Sequence, residues 1–166
     1  MTSPDSPRVG VSPDAKSELQ TGRVPALMGR GMRIGLVCAR FNDVLTRALL
    51  ERCYEELARI KVSDTDERWV PGSFELPLAA KAMAETGAYD AIVVLGAVVR
   101  GDTPHFDYVA GECAAGVMRA QLETGVPIVF GVLTTDTVEQ ARARIDKGAE
   151  FAAGAVEMAQ VLRSLQ

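Results

Sequence analysis

The chain holds a single histidine, His105, in the segment Arg100-Gly101-Asp102-Thr103-Pro104-His105, which directly follows the apolar run Ala91 to Val99. An imidazole changes charge between roughly pH 5 and 8, so it is the side chain best suited to moving protons near neutrality. Arg100 adds a permanent positive charge nearby. Thr103 can cap a helix start through its hydroxyl, and Pro104 suits a first helical position. Free amides at a helix start attract anions. Together these residues point to proton transfer on an anionic substrate. The plainer reading is a capped helix with a surface histidine in its first turn; the placement at the mouth of an apolar run favours the chemical one. Asp102 would repel an anion, so its carboxylate must turn away.

Other residues carry a plain reading beside a sharper one. Phe41 and Phe130 are by default core aromatics, and stacking platforms for a flat ring where exposed. Glu75 either favours a helix start electrostatically or accepts hydrogen bonds from a polyol. Arg144 is an ordinary solvated arginine, or a phosphate clamp if it faces a cleft. Cys38, Cys53 and Cys113 are odd in number and form no C-x-x-C pair, which reads as reduced, buried thiols of a cytoplasmic protein. Cys113, two turns beyond His105, is a minor candidate nucleophile. One histidine and no clustered carboxylates argue against a metal, and the scarce lysines stand away from strand ends, which disfavours a lysine Schiff base. No G-x-S-x-G elbow, P-loop or G-x-G-x-x-G fingerprint is present.

The elements that must position these groups follow from periodicity. Ala91–Val99 is β-branched without alternation, as expected of a strand buried on both faces. Ile34–Ala39 is a second such strand, Arg68–Val70 a poorer one closed by Pro71-Gly72, and Pro127–Leu133 a fourth. Helices are predicted from Asn42 or Asp43 to Ile60, from Phe74 to Thr86 with Gly87 as stop, and from Pro104 to Thr124 with Gly125 as stop. Thr137 with Gln140, or Asp136 with Glu139, caps a last helical region that runs to Leu165 with a break near Gly148. This β-α alternation without hairpins requires a parallel sheet with helices on both faces, and ligands beyond the carboxyl ends of its strands.

The 166 residues suffice for one domain, and 48% apolar residues support a sizeable core. Residues 1–31, with prolines but no hydrophobic period, read as a disordered tail ahead of a single domain over 32–166. A net charge of −4 argues against nucleic acid, and no segment has membrane-spanning length. Small apolar helix residues such as Ala79, Ala82, Ala114 and Ala115 fit close packing in a homo-oligomer.

Four segments carry a resemblance: Ala39-Arg40-Phe41-Asn42, Val70-Pro71-Gly72-Ser73-Phe74-Glu75-Leu76-Pro77, Leu95 to Val109, and Pro127 to Thr135. In this order the chain from about Met32 on resembles the 6,7-dimethyl-8-ribityllumazine synthases of riboflavin biosynthesis. The resemblance implies a flavodoxin-like three-layer α/β sandwich with a four-stranded parallel sheet. It implies condensation of 5-amino-6-(D-ribitylamino)uracil with 3,4-dihydroxy-2-butanone 4-phosphate, without metal or organic cofactor. On that resemblance Phe41, Ser73, Phe74, Glu75, Ala97, Val98 and Val99 bind the pyrimidine and ribityl chain, joined by Phe130 of a neighbouring subunit. Asp102 and Thr103 contact the butanone phosphate, Arg144 clamps it, and His105 donates the proton. The implied assembly is a homopentamer, or a sixty-subunit shell of twelve pentamers, with riboflavin synthase as a further partner. The connection Arg144-Ile145-Asp146-Lys147-Gly148 is shorter than in many members, which bears on the reach of Lys147 and on shell formation. It motivates an alternative: a flavin-binding or shell-forming protein of the same fold without turnover.

Overall fold

Alternation along two central strands decides the layers. In β1 (Arg33–Ala39), Ile34, Leu36 and Cys38 face one side, and Val37 and Ala39 the other. β3 (Ala91–Val99) divides in the same way, with Val93, Leu95 and Ala97 on the first side and Ile92 and Val94 on the second. Both sides of these strands are buried, which is why β3 is apolar throughout and β1 is apolar at every position after Arg33.

The computed structural model describes residues 25–166. Its four strands are parallel in the order β2-β1-β3-β4, with β2 at Asp64–Val70 and β4 at Ile128–Thr135. α1 (Asp43–Arg59) and α5 (Lys147–Ser164) pack on the first face, and α2 (Leu76–Glu85) and α3 (His105–Thr124) on the second. A short helix, α4 (Val138–Arg142), links β4 to α5. This is the expected three-layer α/β sandwich. Pro77 stands in the first turn of α2, where its missing amide matters little. Gly87 and Gly125, with φ of 70° and 69°, end α2 and α3 in the left-handed conformation that glycine tolerates.

Several boundaries differ from expectation. β2 begins at Asp64, four residues before the predicted start at Arg68. As an edge strand it carries charges at its outset: Arg33 Nε lies 3.4 Å from Asp64, and Tyr89 and Arg68 both donate to Asp66. Such a strand has no hydrophobic period to detect. Residues Ser73–Glu75 form a single 3₁₀ turn ahead of α2. The break in the last helical region falls at residues 143–146, whereas Gly148 lies inside α5. A Cβ on Gly148 would stand 2.4 Å from the Leu49 carbonyl oxygen, so this glycine serves the close approach of α5 to α1. The capping pair is Thr137 with Gln140, in a reciprocal box, and not Asp136 with Glu139.

The tail expected over residues 1–31 lies outside the described residues up to 24. From Ala26 on, the chain touches the domain. The Met28 amide donates to Gln160 Oε1 at 2.7 Å, Gln160 Nε2 donates to the Ala26 carbonyl at 3.2 Å, and Leu27 packs on the core. Among the described residues no helix is long and apolar enough to cross a membrane.

Candidate active site

The carboxyl ends of β1, β2 and β3 lie side by side. α1 leaves β1 toward one face of the sheet and α3 leaves β3 toward the other, so a crevice opens above the point where the connections part. It is a cleft of about 750 Å³. Phe41 enters it from the loop after β1, and Ser73, Phe74 and Glu75 from the 3₁₀ turn after β2. Ala97, Val98 and Val99 form its wall at the end of β3, and Thr103 and His105 close it from the next loop and the first turn of α3.

Local bonding explains how each group is held. The Arg40 and Phe41 amides donate to the Val70 and Pro71 carbonyls at 2.9 and 3.0 Å, which ties the β1 loop to the end of β2. Asn42, one of the two predicted starts of this helix, occupies the N-cap position in left-handed conformation with φ of 61° and makes no side-chain capping bond. Its Nδ2 instead donates to the Ala97 carbonyl at 2.8 Å, joining the Phe41 loop to the cleft wall. Phe41 is 72% exposed and Phe74 59%, so neither is a core aromatic; each presents an apolar surface to the cleft. Ser73 is buried beneath them, against a bare spot on Gly96. Glu75 stands at the N-cap of α2 without a capping bond, and its side chain lines the cleft.

His105 is the first residue of α3, and its backbone amide donates to Thr103 Oγ1 at 3.4 Å. Pro104, not Thr103, takes the N-cap position, so the threonine hydroxyl bridges its own turn and does not cap the helix. The expected role of Arg100 is corrected. Its Nε donates to Asp136 Oδ1 at 2.9 Å, its Nη1 to Asp107 Oδ1 at 3.3 Å, and its guanidinium lies 4.2 Å from the centre of the Phe106 ring. Asp136 first, and Asp107 with it, raise its already high pKa. With two carboxylates against it, this guanidinium is not a free anion site. Burial pushes the Cys38, Cys53 and Cys113 thiols up to about 12, so none is a nucleophile at neutral pH.

Residues 31–163 match the model of the family described as 6,7-dimethyl-8-ribityllumazine synthase. The chain belongs to that family. Lumazine synthases are transferases of riboflavin biosynthesis, oligomeric and acting on small molecules. Nine of the twelve residues that the resemblance assigns to the lumazine synthase site line the one cleft, and Asp102, Phe130 and Arg144 do not. Asp102 is exposed in its loop. Phe130, paired with Val94 along β4, is half-buried against the core of the second face. Arg144 is exposed between α4 and α5, where its Nη1 donates to the Gln140 carbonyl at 2.8 Å. Lys147 opens α5 and pairs with Glu150 at 3.2 Å. The cleft also includes Tyr108 and Val109, which sequence reasoning did not assign to a site. Their spacing of three and four residues from His105 puts them on its helix face, a signal that was there to be used.

Proposed function

We propose that the protein condenses 5-amino-6-(D-ribitylamino)uracil with 3,4-dihydroxy-2-butanone 4-phosphate to 6,7-dimethyl-8-ribityllumazine, releasing phosphate and water. The observation that carries this reading is the convergence of Phe41, Phe74, Glu75, Thr103 and His105, from three separate loops, on one cleft. Phe41 stacks on the pyrimidine, whose flat ring suits an exposed phenyl face. Ser73, Phe74 and Glu75 hold the ring and the ribityl hydroxyls, with the Glu75 carboxylate as acceptor. Ala97, Val98 and Val99 give the ring an apolar wall. Thr103, with the amide of Asp102, receives the phosphate. The amine of the first substrate attacks the ketone of the second, and His105 gives a proton to the oxygen that departs as water, so the imine forms between the substrates. Elimination of phosphate then leaves an enol at the carbon that bore the secondary hydroxyl, which tautomerises to a ketone; the ribitylamino nitrogen closes the ring on that carbon, and its oxygen leaves as a second water.

The neighbouring subunit completes the site in this reading, with Arg144 clamping the phosphate and Phe130 reaching the pyrimidine. What supports it is that Arg144 lies outside the chain's own cleft, while Leu78 of α2 and Met118 and Leu122 of α3 expose an apolar face suited to a partner. A cytoplasmic homopentamer is the proposed assembly. The test is to mix purified protein with both substrates and follow lumazine fluorescence, with particle mass measured on the same sample. Acceleration by a particle of about five chains, or a multiple of that, is expected. A fully active monomer would contradict the shared site, and tight flavin binding without acceleration would replace the synthase reading with the non-catalytic one.

A further inference from the structure

One side chain joins the ends of β3 and β4 to the first turn of α3. The Arg100 amide donates to the Thr135 carbonyl at 2.9 Å, which fixes its backbone to the end of β4. Its side chain then spans the loop, bonded to Asp136 on one side and to Asp107 and Phe106 on the other. Along the chain, residues 101–104 lie between Arg100 and its partners Phe106 and Asp107. Among the described residues, the only side-chain hydrogen bond that this loop makes is that of Thr103 to the His105 amide. The loop therefore depends on Arg100 for lateral support. Asp136 is itself held, because its amide donates to Gln140 Oε1 at 2.9 Å, and the Gln140 carbonyl accepts from Arg144 Nη1 at 2.8 Å. A continuous series of contacts thus connects the turn bearing His105 with the turn bearing Arg144.

We propose that Arg100 and Asp136 are a positioning pair that sets His105 in its own cleft and, through Gln140, sets the Arg144 turn that serves the adjoining one. The inference rests on the condensation proposed above. Arginine is required because a planar guanidinium can meet two carboxylates and a ring face at once, whereas an ammonium group cannot. Each contact is exposed and weak alone. Their combined effect is on geometry, where a displacement of about 1 Å can lower the rate by about a hundredfold.

The test uses Arg100→Met, Arg100→Lys, Asp136→Ala and Asp136→Asn in the full chain. Arg100→Met and Asp136→Ala should lower kcat about tenfold to a hundredfold and raise KM for the phosphate substrate, while KM for the pyrimidine stays within about twofold. Arg100→Lys should not rescue. Asp136→Asn keeps the acceptor oxygen and should stay closer to wild type than Asp136→Ala. Because the chain has one histidine, ring-labelled histidine gives one unambiguous NMR signal, which should move in Arg100→Met and Asp136→Ala without any substrate present. Wild-type kinetics in Arg100→Met, an unmoved histidine signal, or equal rises in both KM values with a lowered melting temperature would overturn the positioning role. A histidine signal that moves in a protein whose wild type does not catalyse the condensation would sink the synthase reading and leave the pair standing.

Discussion

Gly96→Ala is the sharpest structural test of the cleft floor. Gly96 lies in β3, and a Cβ built there would stand 2.8 Å from Ser73 Oγ, 3.2 Å from Ala39 Cβ and 3.6 Å from Leu76 Cδ1. Ordinary contact starts at 3.4 Å, so the Ser73 oxygen must retreat about 0.6 Å. The Ala39 Cβ cannot yield easily, because it belongs to the adjoining central strand and is fully buried. Overpacking of this kind destabilises by about 1–3 kcal/mol, or about 2–12 °C in melting temperature for a chain of this size. Part of the strain is relieved by pushing the 3₁₀ turn outward, and Phe74 and Glu75 move with Ser73. KM for the pyrimidine substrate should therefore rise, with the phosphate substrate less affected. Melting curves and the fluorescence assay read the two effects separately. Ser73→Ala in the Gly96→Ala background deletes the crowded oxygen and should restore part of the lost stability. If Gly96→Ala melts as wild type and binds the pyrimidine as well, the tight packing of the turn on β3 is wrong.

His105→Ala should lower kcat by about 10² to 10⁴, the usual range for a general acid or base, with activity remaining from positioning alone; wild-type kcat would remove His105 from the mechanism. Arg144→Ala should raise KM for the phosphate substrate about tenfold to a hundredfold, as expected for a lost charge-assisted bond, and a change confined to the pyrimidine would contradict the clamp. The Tyr89 hydroxyl, with Arg68 and Arg33 adding to it, holds the Asp66 carboxyl below its ordinary value of 3.8. A depressed folded value means that its contribution is full above about pH 4 and is lost as pH falls from there toward the folded value. Tyr89→Phe should flatten the acid limb of a melting-temperature profile, and an acid limb identical to wild type would rule out this coupling.

The central strands, the helix stops and the three-layer arrangement were legible because each depends on local signals. A continuous β-branched run marks β1 and β3, and Gly87 and Gly125 mark where α2 and α3 cease. The first half of β2 was illegible because an edge strand satisfies its carboxylates with residues distant in sequence, Asp64 with the Arg33 guanidinium and Asp66 with the Tyr89 hydroxyl. Arg100 was misread for the same reason: its partner Asp136 is 36 positions away, and nothing near Arg100 announces it. Asn42 looked like a helix cap, but its amide is used 55 residues on, at the Ala97 carbonyl. At the site, residue types pointed to His105 alone, and Phe41 and Glu75 kept their plain readings until the family resemblance was added. That Ser73, Phe74 and Ala97 share a cleft with them is a tertiary fact, set by strand order.

The three sulfhydryls lie on three different elements, Cys38 in β1, Cys53 in α1 and Cys113 in α3. Two belong to the core on one side of the sheet and the third to the core on the other. None can meet an alkylating reagent until its own layer parts from the sheet. Timed modification followed by peptide mass analysis would then record which layer loosens first, with no probe introduced.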